Sequence, residues 1–433
     1  MKRRPCRSAA SRGVWLRALA VICIAVAVFP MAALSGSDKA DKVRSDHHTL
    51  VPYYPVRVPP HYRPGTGDRL EQGLWKRVEK IEREIASSPQ VIRDPALQAY
   101  LDGIACRLAP DYCGDFRIHV VRTAEFNASM APNGMMQVWS GLLLRTRNEA
   151  QVAAVLAHEI GHYLRRHGVE GFRDRRKRLA LMDFLGLGLA VAGSSARTVN
   201  QVQLAVIASL FAHSRDEERE ADTIGIRLMR EAGYDPREAS RVWAQMRAEL
   251  GRDGRRRSYL YATHPSNAER EATLARYVEA LRRNSRHYRL GRKAHRHAIA
   301  AIRDMLWADQ LDLERYKRTE WLIASFIAED GKRPDYLCYE AELHRRRGGP
   351  RHAASARRLY REALAQGRSA MTGVPAMCWR GYGQVAWKLG TRDEARRAFR
   401  RYLELRPHAP DRAMIAFYLQ DSAAKAPAKG AGP

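Results

Sequence analysis

The sequence predicts an α+β fold that is mainly helical: a small β-sheet inside a helical first part, followed by an all-α second part. Three observations carry this. Phe116, Ile118 and Val120 alternate with Arg117 and His119, and residues 127–130 and 135–139 flank the turn signal Pro132-Asn133-Gly134, so two or three strands including a hairpin are expected. From Asn148 onward apolar residues recur at helical spacing almost to the end. Two stretches in the last third repeat one scheme of small and apolar residues.

The chain has 433 residues, too many for one core, and 45% of them are hydrophobic, which suits a globular protein. Lysine and arginine number 75 against 47 acidic residues, a formal charge of +28. Such a charge would suit an anionic membrane surface. The alternative is arginine dispersed over solvated helix faces, and the basic residues do come as short RR and RRR fragments. No nucleic-acid motif with interleaved aromatics occurs, so no nucleic-acid partner is expected.

Residues 1–35 have the layout of a secretory signal peptide. Lys2, Arg3, Arg4, Arg7, Arg12 and Arg17 precede an apolar run over 18–29, and Ala32-Ala33-Leu34-Ser35 offers a cleavage site. The run is short for a membrane span, though an uncleaved inner-membrane anchor is the alternative. Export to an oxidising compartment leaves Cys106, Cys113, Cys338 and Cys378, an even number that permits two disulfides. Cys106 with Cys113 would close a short loop over Pro110. Cys338 with Cys378 would tie neighbouring helices, or remain as buried thiols.

Residues 36–67 are rich in proline, glycine and charge and read as an extended linker. Regular patterning starts at Asp68 with Leu70, Leu74, Val78 and Ile81, and resumes after Asp94-Pro95 with Leu97, Tyr100, Leu101 and Ile104. Asn148 can cap a helix through Val152, Val155, Leu156 and Ile160 that stops at Gly168. Residues 179–191 are apolar but carry Asp183, Gly186 and Gly188, which suits a core or cleft wall and offers a candidate lid.

Residues 68–290 form the expected first domain and 291–423 the second. In the second, Leu389-Gly390, Ala395, Ala398, Phe399 and Pro407 fall where a tetratricopeptide repeat sets its small and apolar residues. Gly348, Ala353, Ala356, Tyr360 and Ala363 repeat the scheme, and a weaker pair spans Trp307 to Ile327. A plain helical bundle is the alternative. Residues 424–433 read as a disordered tail.

The chemistry centres on HEIGH at residues 158–162. His158 and His162 share one helix face, and that spacing lets two imidazoles reach one zinc ion at about 2.0–2.1 Å. Glu159 is turned off the ligand axis, where it can take a proton from a water. Gly161 leaves room for close packing behind the metal. A third ligand is offered by SRDEEREAD at 214–222. Ser214 and Glu217 form a capping box, and Glu218 and Asp222 then lie one turn apart on one face. Glu218 is the expected third ligand and Asp222 the acceptor for a ligand histidine's other N–H. Taken alone, these acids could be an ordinary helix start favoured by the helix dipole. His119, His167, His213, His295 and His297 have no partner at useful spacing and are expected to be structural or solvated.

HEIGH, SRDEEREAD, Gly233-Tyr234-Asp235-Pro236 and Thr263-His264-Pro265-Ser266 together resemble the zinc metalloprotease family of HtpX and the CAAX prenyl proteases. A signal peptide and C-terminal repeats look like its soluble periplasmic branch of BepA type. The resemblance implies a gluzincin fold and one zinc per chain on His158, His162 and Glu218, with Glu159 as base. It also implies that substrate lies as an added strand on an edge strand, here residues 135–139. His264 would stabilise the oxyanion or fill the open zinc position, with a hydrogen-bonded loop histidine as the alternative. The implied function is an endopeptidase for misfolded or misassembled envelope proteins, its repeats holding substrate or an outer-membrane assembly machine. A chaperone-like adaptor with little proteolysis is the alternative.

Overall fold

The computed structural model describes residues 52–173, 213–253, 264, 268–282, 287–367 and 374–420. The expected signal peptide, the candidate lid at 179–191 and the expected tail lie outside these. Helix α1 (Arg69–Ser87) starts where the Asp68 carboxylate accepts from the Glu71 amide, and α2 (Pro95–Leu108) where Asp94 accepts from the Leu97 amide. Cys106 and Cys113 are joined in a disulfide at the end of α2.

Three strands follow: β1 (Arg117–Val121), β2 (Ala128–Met130) and β3 (Met135–Trp139). The expected hairpin is present, with β2 antiparallel to β3 and Gly134 at φ +87 in its turn. A Cβ at Gly134 would stand 2.1 Å from the Asp115 carbonyl oxygen, so glycine is required on two counts. The order is β1-β3-β2, with β1 parallel to β3. This corrects the expectation that 135–139 form an open edge. β3 is the central strand, because β1 pairs along its other side, and the edges are β1 and β2. Local alternation reveals a strand but not its neighbours.

After α3 (Ser140–Arg145), α4 (Glu149–Arg165) opens with Asn148 accepting from the Gln151 amide at 2.9 Å. It does not run to Gly168 as expected. Arg166 adopts the left-handed conformation at φ 62, and helical backbone resumes over 167–173. Arg166 is held there by an ion pair to buried Glu71 at 2.5 Å and by stacking on Tyr62. The capping box at Ser214 and Glu217 opens α5 (Arg215–Glu231), and α6 (Arg237–Leu250) and α7 (Ala268–Arg282) follow.

Residues 52–67 contain neither helix nor strand, as expected, yet part of the segment is packed as a strap. The Arg57 amide donates to the Leu164 carbonyl at 2.8 Å, Tyr112 donates to the Val58 carbonyl at 2.8 Å, and Val58 is buried.

Beyond Arg292 every described element is a helix: α8 (Arg292–Ala298), α9 (Arg303–Asp312), α10 (Tyr316–Asp330), α11 (Pro334–Arg347), α12 (Gly349–Gln366), α13 (Ala376–Lys388), α14 (Arg392–Leu405) and α15 (Arg412–Gln420). α11 packs with α12 and α13 with α14. Small residues permit the approach: a Cβ at Gly381 would strike the Tyr360 hydroxyl, and one at Gly383 the Phe399 ring. Ala356, Ala363, Ala395 and Ala398 are buried. Cys338 and Cys378 are separate buried thiols, not a bridge, and they fill core positions beside Leu337 and Ala341.

Among the described residues the core continues across residue 290. One apolar cluster runs from Leu97 and Val155 through Met229 to Trp307, Leu322, Tyr339 and Leu343. Beside it lies a buried ionic junction. Arg145 donates to Glu249 at 2.8 Å and to Gln310 at 2.5 Å, while Arg318 binds Glu249 and also Glu125 at 2.9 Å.

Candidate metal centre

The site forms where α4 crosses α5. Gly161 lets the helices meet backbone to backbone, because a Cβ there would lie 2.9 Å from the Ala221 carbonyl oxygen. Gly225 does the same from α5, with its absent Cβ 3.2 Å from the His158 nitrogen. This contact sets the Glu218 carboxylate opposite the two histidines of α4.

His158 and His162, one turn apart, bring their Nε2 atoms to 3.1 Å of each other. Glu218 Oε2 lies 3.4 Å from His158 Nε2, and Oε1 lies 3.3 Å from His162 Nε2. His264 joins them, with Nδ1 3.0 Å from Glu218 Oε1 and 3.3 Å from His158 Nε2. All four side chains are buried, and their potential ligand atoms lie within 4.8 Å of one another. A tetrahedral ion with bonds of about 2.0–2.1 Å has ligand-to-ligand edges of about 3.3 Å. The observed separations have that size, so the donor set fits such an ion.

The flanking groups are equally specific. Asp222 Oδ1 lies 2.9 Å from His158 Nδ1. Glu159 is buried, accepts from the Met130 amide of β2, and stands 3.4 Å from His264 Nε2 through Oε1. Its Oε2 has no hydrogen-bond partner among the described residues. Burial raises the Glu159 pKa. At Glu218 burial is outweighed by the charges of His264 and His158, and its carboxyl is held well below the usual range. Burial would lower His158, but Glu218 and Asp222 outweigh it and raise it to about 10. The carboxylates of Glu218 and Asp222 therefore favour a positive charge beside His158, which a metal cation could supply in place of a proton.

Two histidines expected to be structural or solvated are also here. His213 stacks on the His162 ring at 3.6 Å between centroids, and His167 Nδ1 is 2.9 Å from His162 Nδ1. Neither lies at helical spacing from a ligand, so periodicity could not find them. His295 is buried against the Thr146 carbonyl, and His119 sits beside Glu82.

Residues 92–278 match the model of Peptidase family M48. This segment is an M48 domain. The M48 domain contains the sheet, α4, α5 and His264, and therefore every residue of the cluster. Its relatives include the putative beta-barrel assembly-enhancing protease of Vibrio cholerae, 30% identical over 161 residues, which make up 35% of this chain and 33% of that protein. The beta-barrel assembly-enhancing protease of Escherichia coli is 29% identical over 162 residues, 36% of this chain and 33% of that one. The mitochondrial metalloendopeptidase OMA1 of Schizosaccharomyces pombe is 33% identical over 121 residues, 28% of this chain and 34% of that one. The match spans about a third of the length of each. An M48 domain with metalloendopeptidase relatives supports a metalloprotease and implies a metal, for which the buried His/Glu cluster is a suitable holder.

Proposed function

We propose that this protein is a zinc-dependent endopeptidase of gluzincin type, with His158, His162 and Glu218 holding one zinc. The observation that carries this is the convergence of three donor groups at tetrahedral edge distances with a buried carboxylate, Glu159, beside them. Zinc supplies a Lewis acid that polarises a carbonyl and lowers the pKa of a water to about 7. Glu159, its pKa raised by burial, takes a proton from the attacking water and returns it to the leaving amine. Asp222 orients His158 through its Nδ1. The substrate is an extended peptide laid along β2, whose Met130 amide already contacts Glu159.

The N-terminal pattern supports export to the periplasm, and the substrates are then misfolded or misassembled envelope proteins. The helix pairs beyond Arg333 are tetratricopeptide-like and hold substrate or an outer-membrane assembly machine. Substituting Glu159→Gln in the full chain should abolish casein cleavage while one zinc per chain is retained. Cleavage that survives with zinc still bound would sink the protease reading.

The adaptor reading is favoured by one observation: Leu405, Met414 and Phe417 on the last two helices are exposed, Phe417 by 65%. Removing everything after 290 would strip Trp307 and Leu322 from the main core, so surface changes test it better. Met414→Asp with Phe417→Asp should leave casein cleavage intact and abolish the biological role if the adaptor dominates. A retained role would count against it.

A further inference from the structure

From the proposed metal site, we infer that His167 and Glu220 form a positioning relay that fixes the tautomer and orientation of His162, and that the N-terminal strap anchors this relay. The chain of contacts is continuous. His162 must present the Nε2 lone pair to the cluster, so its proton sits on Nδ1. That Nδ1–H faces His167 Nδ1 at 2.9 Å, which accepts and leaves the His167 proton on Nε2. His167 Nε2–H points to Glu220 Oε2 at 3.3 Å. The same oxygen accepts from Arg165 Nε at 2.6 Å, and Arg165 Nη1 donates to the Pro55 carbonyl of the strap at 2.7 Å.

The backbone is shaped for this. Arg166 in the left-handed conformation interrupts the helix at the end of α4, and His167 faces a ring five residues earlier. His213 stacks flat on His162 from another side. His167 is 2% exposed and Arg165 3%, so the inner end of the relay is shielded from water, while Glu220 at its outer end is half-buried. The arrangement parallels Asp222 on His158: each α4 histidine has a polar atom 2.9 Å from its Nδ1 and its Nε2 turned inward. Outer partners of this kind typically change metal affinity by about 10- to 100-fold.

The test measures zinc affinity of the full-length protein by competition with a chromophoric chelator, alongside thermal unfolding of the zinc-stripped protein. His167→Phe fills the space but cannot accept, and should weaken zinc binding about 10- to 100-fold. His167→Asn offers a carbonyl oxygen near the Nδ1 position and should recover most of that loss, which a packing role alone would not produce. Glu220→Gln should weaken binding less than His167→Phe. His162→Ala is the control for the site itself. If it leaves zinc affinity unchanged, the metal-site assignment fails; if it weakens binding while His167→Phe does not, the relay fails. A wild-type stoichiometry of two zinc ions that drops to one in His167→Phe would make His162, His167 and His213 a second metal site and overturn the relay.

Discussion

His264 presents Nδ1 to the cluster at the same distances as the three proposed ligands, so it stands where a fourth corner would be. A corner filled by a side chain is closed to water and to substrate. His264→Ala should therefore raise casein hydrolysis several-fold with zinc retained; a fall in hydrolysis would assign it to transition-state stabilisation instead. Glu82 shows a different residue-scale effect. Burial would raise its pKa, but hydrogen bonds from His119, Arg117 and Asn133 lower it to about 2. A depressed carboxyl contributes stability that is complete above its ordinary value of 4.5 and is lost as pH falls toward 2. Glu82→Gln should flatten the dependence of Tm on pH across that window. An unchanged slope would show that Glu82 is not responsible.

Among elements, the α4–α5 crossing decides whether the site exists. Gly161→Ala sets a Cβ against the Ala221 backbone, which has no flexible side chain to yield. The expected cost is about 1–3 kcal/mol, with zinc lost faster to a chelator. Gly73→Ala on α1 meets nothing within 4 Å and should be neutral or stabilising by up to about 1 kcal/mol. Equal effects of the two changes on zinc retention would remove the crossing from the explanation. This crossing was legible in part: helical spacing gave the shared faces of His158 with His162 and of Glu218 with Asp222, and Gly161 suggested close packing. Gly225 was not legible, because its partner is a backbone atom on another helix. His167 was hidden by the left-handed turn at Arg166, which breaks the periodicity that sequence reading depends on. The rank of β3 as central strand depended on β1, which returns from elsewhere in the chain.

For the whole molecule, the arginines were the least legible feature. Arg318 lies in a Lys-Arg-Thr-Glu stretch that reads as a solvated face, yet it is fully buried between Glu125 and Glu249. Arg318→Met would leave those carboxylates short of a buried partner and should cost about 3–5 kcal/mol by urea unfolding. A cost under about 1 kcal/mol would mean that Arg145 and Arg315 suffice. The same scale explains a constraint on recombination. Tyr336, Tyr339 and Leu343 of α11 belong to the main core, whereas Leu337, Cys338 and Ala341 of the same helix belong to the next one. No single splice point separates the peptidase from the helix pairs. A working chimera would need a mosaic α11, with 336, 339 and 343 taken from the parent that supplies the peptidase and 337, 338 and 341 from the parent that supplies the pairs.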